Sequence, residues 1–98
     1  MINSSVAFKR VTASALINEG ETLLVGVLIL TSAATGAVAI YEGLDAVTGR
    51  LVHTFTCDAA RSVLYSLPVP LLLERGLYVS MDVNVTEVTV FWLPEAVG

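Results

Sequence analysis

Apolar residues recur with a period of two along most of this chain, and charges fall between the runs. Val38 and Ile40 alternate with Ala37, Ala39 and Tyr41. Val63, Tyr65 and Leu67 share one face of Ser62–Leu67. Leu77, Val79, Met81 and Val83 alternate with Tyr78, Ser80 and Asp82, and Val88, Val90 and Trp92 with Thr89, Phe91 and Leu93. Successive strand side chains point to opposite faces, so these runs predict strands. Val6–Val11, with Val6 and Phe8 on one face, adds another, which Ala13–Ile17 continues or restarts. Thr22–Leu30 is nearly continuous in apolar residues, as in a strand covered on both faces, and Gly26 at its middle marks a bulge or a close backbone approach. Gly36 opens the strand Ala37–Glu42, and Leu51–Cys57 returns after the longest loop, Gly43–Gly49.

Turn residues separate these runs: Asn18-Glu19-Gly20-Glu21, Glu74-Arg75-Gly76 and the start of a connection at Asp82-Val83-Asn84. Pro68-Val69-Pro70 lacks ladder donors and marks a sheet edge or a crossing between sheets, with Leu71–Leu73 adding a short strand. Leu77–Val83 and Glu87–Leu93 read as the clearest pair of neighbours. Seven or eight short strands at spacings of ~8–12 residues predict an all-β, antiparallel β-sandwich or barrel. No helical period competes with them.

Charge placement sharpens this picture. Acidic and basic residues cluster at the turns, and only Lys9 and Arg10 interrupt a predicted strand. A sheet with one wet face alternates apolar and polar residues, whereas the outward positions here are largely Thr, Ser, Ala, Val and Leu. A chain of this length buries only ~60–70% of its surface within itself. The surplus apolar surface predicts an assembling protein. Among the outward residues, Tyr41, Tyr78, Phe91 and Leu93 are the candidate oligomer contacts, with Trp92 in the core and Phe91 facing a partner copy.

The 98 residues make one domain, with residues 1–5 read as a flexible arm. Charged residues are 14% of the chain, against ~25% in an ordinary soluble domain. The net charge of −4 and the lack of a basic run argue against phosphate-backbone binding, so no nucleic-acid partner is expected. The single cysteine, Cys57, excludes an internal disulfide and fits a reducing compartment. No secretory signal is legible at the N-terminus, and the Asn84-Val85-Thr86 sequon is read as coincidence. Thr22–Tyr41 is twenty residues without a charge, long enough for a membrane helix, but the turn-like Thr31–Gly36 cluster divides it into two Val- and Ile-rich runs.

Catalytic chemistry finds no support. His53 and Cys57 are four apart on one predicted strand, hence ~13 Å apart, beyond the ~3 Å reach of a nucleophile–base dyad. Glu42 with Asp45, or Asp82 with Asn84, offers too few oxygens for calcium, and one His with one Cys too few ligands for zinc. No catalytic, metal or cofactor site is expected, and no enzyme activity. Tyr41, Tyr65, Tyr78, Phe91 and Trp92 are candidates for a carbohydrate or peptide platform, though strand aromatics more often serve core or subunit contacts. The loop residues Gly43, Leu44, Asp45, Thr48, Gly49 and Arg50 form a candidate binding tip.

The order Leu24-Val25-Gly26-Val27, Ala39-Ile40-Tyr41-Glu42-Gly43, Thr48-Gly49-Arg50-Leu51-Val52, Leu67-Pro68-Val69-Pro70, Arg75-Gly76-Leu77-Tyr78-Val79 and Val83–Phe91 resembles small all-β virion proteins of tailed bacteriophages. The resemblance covers Leu23 to Leu93. It implies an Ig-like or jelly-roll-like sandwich that decorates or stabilises a head, neck or tail. It also implies self-association, with a trimer the best single number, and contact with the major capsid or tail protein of the same particle. Such a protein is made in the bacterial host cytoplasm and ends in the virion. The alternatives are a carbohydrate- or protein-binding β-sandwich module for host attachment and, third, a small membrane protein.

Overall fold

In the computed structural model, which describes residues 6–93, the period-two runs become strands, most of which end at glycine or acidic turns. There are eight: β1 (Ala7–Val11), β2 (Ala15–Glu19), β3 (Thr22–Thr31), β4 (Gly36–Glu42), β5 (Arg50–Cys57), β6 (Ser62–Leu73), β7 (Gly76–Met81) and β8 (Val85–Leu93). The arm read at residues 1–5 lies outside the described residues. The uncharged stretch Thr22–Tyr41 is β3, a turn and most of β4 rather than a helix.

β1 pairs with β8, β2 with β7, β3 with β6 and β4 with β5, all antiparallel. The chain is thus one long ribbon folded in half at the β4–β5 loop. Rolling that ribbon adds the pairs β3–β8 and β4–β7. Two four-stranded sheets result, β1-β8-β3-β6 (sheet A) and β2-β7-β4-β5 (sheet B). This rolled double Greek key is a jelly roll, not an Ig-like sandwich. The expected β7–β8 neighbours are therefore in different sheets. The Asp82 carboxylate accepts the Ala37 and Asn84 N–H groups, and the Asn84 carbonyl accepts the Ser32 N–H, which bends the chain across to sheet A. Val83, assigned to the alternating face of β7, instead stands 96% exposed in this bend.

The inner faces close on Leu24, Val27, Ile29, Val88 and Val90 from sheet A and Val38, Ile40, Leu77 and Val79 from sheet B, all essentially buried. Trp92 packs at the margin of this core, on the face expected for it. Thr22 is buried among them, its hydroxyl bonded to the Gly20 carbonyl and the Asn18 amide.

Two irregularities shape sheet A. Both ladders of β3 shift register between Leu24 and Gly26, so a bulge, one of the two features expected at Gly26, is present. It reverses the phase of the strand, which lets Leu24 and Val27 both face inward. On β6, Ser66 opposes Gly26 and Leu71 opposes Leu24, so Leu67–Pro70 bows out against Val25 alone. The prolines lie on a strand at the edge of the sheet, one of the two places proposed for them.

Leu77 has no solvent exposure and touches both sheets' core. Leu77→Ala is expected to lower unfolding stability by about 2–5 kcal/mol, read as a lower urea midpoint with an unchanged slope.

Candidate functional site

At one end of the sandwich the β4–β5 loop is fixed by its own residues. Asp45 Oδ1 accepts the Val47 N–H (3.0 Å), the Thr48 N–H (2.7 Å) and the Thr48 hydroxyl (2.9 Å). These bonds, Thr48's first, hold the Asp45 carboxyl below its ordinary pKa. Gly49 N–H returns to the Asp45 carbonyl, and Gly43 N–H reaches Gly76 O at 3.1 Å. Gly43 and Gly76 both have positive φ, 144° and 129°, and a Cβ on Gly76 would stand 3.0 Å from the Gly43 carbonyl oxygen. Only glycine allows these two turns to meet.

Glu42 locks the same end. Its carboxylate is buried, accepts Arg50 Nη2 at 2.8 Å and accepts the Glu74 N–H at 2.7 Å. The Glu74 bond, helped by Arg50 and opposed by burial, lowers its pKa. The loop's polar groups are thus largely occupied internally. What it presents outward is apolar: Leu44 is exposed and Val47 is 92% exposed. As a binding tip it offers contact area rather than free hydrogen-bonding groups.

The outer faces hold the other candidates. On sheet B, Tyr78 lies opposite both Leu16 and Tyr41, and Tyr41 opposite Leu51. The tyrosine rings meet edge-on, 6.3 Å between centroids and 65° between planes, which is no flat platform for a sugar. Beyond them the face is small: Ala37, Ala39, Thr54, Thr56 and Ser80.

Sheet A's outer face is larger-grained and more apolar. Four rows cross it. Leu93, Leu23 and Leu72 form the first; Phe8, Phe91, Gly26 and Ser66 the second; Arg10, Thr89, Leu28 and Leu64 the third; Glu87, Leu30 and Ser62 the last. Phe8 is 68% exposed and Leu64 59%. Among the described residues this face carries one ion pair, Arg10–Glu87 at 3.4 Å, toward one end. Of the four candidate contact residues, Phe91 and Leu93 belong to this face, and Tyr41 and Tyr78 to the opposite one. The five aromatics proposed as a platform are likewise dispersed: Trp92 and Tyr65 pack against the core between the sheets.

Along the side where the edge strands β5 and β6 face one another, an apolar crevice of about 360 Å³ opens among Leu24, Ile40, Val52, Phe55, Leu67 and Leu71, with His53 at its margin. Tyr65 closes part of that side, its ring 4.9 Å from Phe55 and its hydroxyl donating to Thr56 O. His53 is exposed and packs edge-on against Phe55. Cys57 is buried among the Ile29, Asp58 and Arg61 carbonyls and the Thr31 hydroxyl. Their surroundings are separate. Glu42 and Asp45 are likewise engaged apart, and Asn84 donates its side-chain amide to Thr35 O. Among the described residues no three His, Cys, Asp or Glu side chains gather into a group able to hold a metal ion. Nor is any helix there long and apolar enough to cross a membrane.

What sequence reasoning missed is Phe8, Leu64 and the Gly26–Ser66 gap as parts of one surface. The signal available was the excess of Leu and Val at outward strand positions. Comparison with protein-family models finds no match. Comparisons with curated proteins and with solved structures find none either.

Removing the Glu42 carboxylate strands the Glu74 N–H and releases Arg50, so Glu42→Ala is expected to cost about 1.5–3 kcal/mol at neutral pH. Because its folded-state pKa lies below the reference value of 4.5, the carboxylate's contribution is complete above that value. It is lost as pH falls through the folded pKa. The deficit of the variant against the parent, from denaturant melts between pH 7 and pH 3, should therefore shrink on acidification.

Proposed function

We propose that this chain is a non-enzymatic structural protein of a bacteriophage particle, acting through apolar sheet faces that join copies to one another and to the capsid or tail. The observation that carries the reading is sheet A's outer face, where Phe8, Leu64 and Leu72 stand exposed beside Phe91, Leu23, Leu28 and Leu30 with one ion pair among them. Isolated soluble domains rarely keep such a continuous apolar surface without a partner. The jelly-roll topology is compatible with the reading, since capsid proteins use it, as do lectins and cupins; by itself a fold assigns no task. The order of turn and strand motifs that resembles phage virion modules gives the particle as the setting.

A host-attachment module that reads carbohydrate draws less support. The loop residues suited to it, Asp45, Thr48 and Arg50, are bonded within the loop or to Glu42, and the Tyr41–Tyr78 pair is tilted.

The test is particle composition. Density-purified phage particles from cells expressing the chain are expected to contain it in a fixed ratio to the major shell or tail protein, by quantitative peptide mass spectrometry. Its retention in the soluble fraction with none in particles would overturn the assignment.

A further inference from the structure

Within the second row on sheet A's outer face, side-chain size changes sharply from one edge to the other. Phe8 on β1 and Phe91 on β8 are large, with ring centroids 6.3 Å apart. Gly26 on β3 and Ser66 on β6 are small. A Cβ at Gly26 would stand 3.1 Å from the Tyr65 carbonyl oxygen and 3.7 Å from the Phe91 ring, so a larger side chain there would crowd the sheet. The result is an open hollow of about 330 Å³ that runs from Val6 on the β1 side past Phe91, Val25 and Gly26 to Leu64, Ser66 and Leu67 on β6. Apolar space of ~150 Å³ is enough to hold benzene. A protruding aromatic and a hollow able to receive one thus share one row of one face.

That arrangement is self-complementary. A two-fold axis parallel to the strands, between β8 and β3, reverses the row onto itself. It sets Phe8 against Ser66 of the partner copy and Phe91 against Gly26 of the partner copy, large against small at each of the four contacts. The neighbouring rows come with it: Leu93 meets the partner's Leu23, Thr89 the partner's Leu28, and the aliphatic stem of Arg10 the partner's Leu64. Isologous contacts require a patch that matches itself in this way.

The area is suitable. Four strands at ~4.8 Å spacing and the ~23 Å run from Leu23 to Leu30 give a flat footprint of about 440 Å². Counted on both partners this is about 880 Å², in the range of small, reversible interfaces. We propose that sheet A's outer face joins two copies of this chain, with Phe8 and Phe91 of each seated over Ser66 and Gly26 of the other. The proposal rests on the reading of the chain as an assembling protein and names the face and the partner.

Sedimentation velocity from 1 to 100 µM tests it, against the 10.4 kDa mass of one chain. A reversible species of twice that mass is expected. Phe8→Ser, at an exposed position, should raise the dissociation constant at least tenfold, with little change in the melting temperature measured at concentrations where parent and variant are both single chains. Ser66→Leu, which fills the hollow, should do the same. A second measurement reads the pairing directly. In a Cys57→Ala background, the Phe8→Cys, Ser66→Cys double variant should form a covalent dimer with a short bis-maleimide, since facing sheets stand ~10 Å apart. Within one chain these positions are three strand spacings, ~14 Å, apart, too far for an internal bridge by so short a linker. Efficient crosslinking that neither single variant shows supports the proposal. An oligomer that survives both substitutions and does not crosslink would overturn this face while leaving an assembling protein. A single-chain mass throughout, in the parent protein, would overturn both.

Discussion

Everything long-range in this fold depends on the turn that doubles the chain back at Gly43–Gly49. Among the described residues, the β4–β5 connection is the one that stays within a sheet, and the four pairs β4–β5, β3–β6, β2–β7 and β1–β8 follow from it in nested order. The residues that secure it come from both halves of the ribbon. Asp45 fixes the loop internally, Arg50 joins Glu42 across the base of β4 and β5, and Glu42 also holds the Glu74 N–H at the β6–β7 turn. Such nested pairing concentrates contacts between residues far apart in sequence. The loop-closure entropy is met before most of those contacts form, which is the condition for slow folding.

Rolling the ribbon then imposes a division of faces. Each strand has only one side that can meet the opposite sheet. Val27 and Ile29 take that side on β3 and are fully buried, while Leu23, Leu28 and Leu30 remain on the other. The bulge at Gly26 sets this phase. Neighbouring side chains on the sheet half-cover the outward leucines, but among the described residues no second layer does. Each 100 Å² of such surface removed from water would contribute about 2.5 kcal/mol, so an unpartnered face of this kind is a standing drive toward association.

The edges are handled differently from the faces. β6 carries Pro68 and Pro70 where its ladder with β3 is interrupted, and the bow removes a regular strand edge on which another strand might pair. On the opposite edge of sheet A, β1 is short, and its exposed Lys9 shares a face with half-buried Ala7 and Val11. Both devices discourage edge-to-edge growth. Association of the proposed kind would thereby be steered away from strand addition at sheet A and toward its apolar face, where contact is finite.

The sequence alone determined that the chain would be strands, which residues of most strands would share a face, and that the surface would hold more apolar area than one copy can bury. Period two is a local property, so Val38 with Ile40, Val63 with Tyr65, and Val88 with Val90 and Trp92 could be read directly. So could the irregularity at Gly26, and the prolines could be narrowed to a sheet edge or a crossing between sheets, because glycine and proline act on the backbone where they stand. Pairing was not local. β7 and β8 are adjacent in sequence with matching alternation, yet the Asp82 carboxylate and the Ser32–Asn84 bond send them to different sheets. Nor could the outer face be read. Phe8, Phe91, Gly26 and Ser66 form one row only when β1, β8, β3 and β6 lie side by side. A period along a single strand carries no information about which distant strand becomes its neighbour. The rolled ribbon decides that, because hydrogen-bond closure and burial are satisfied only over the whole chain.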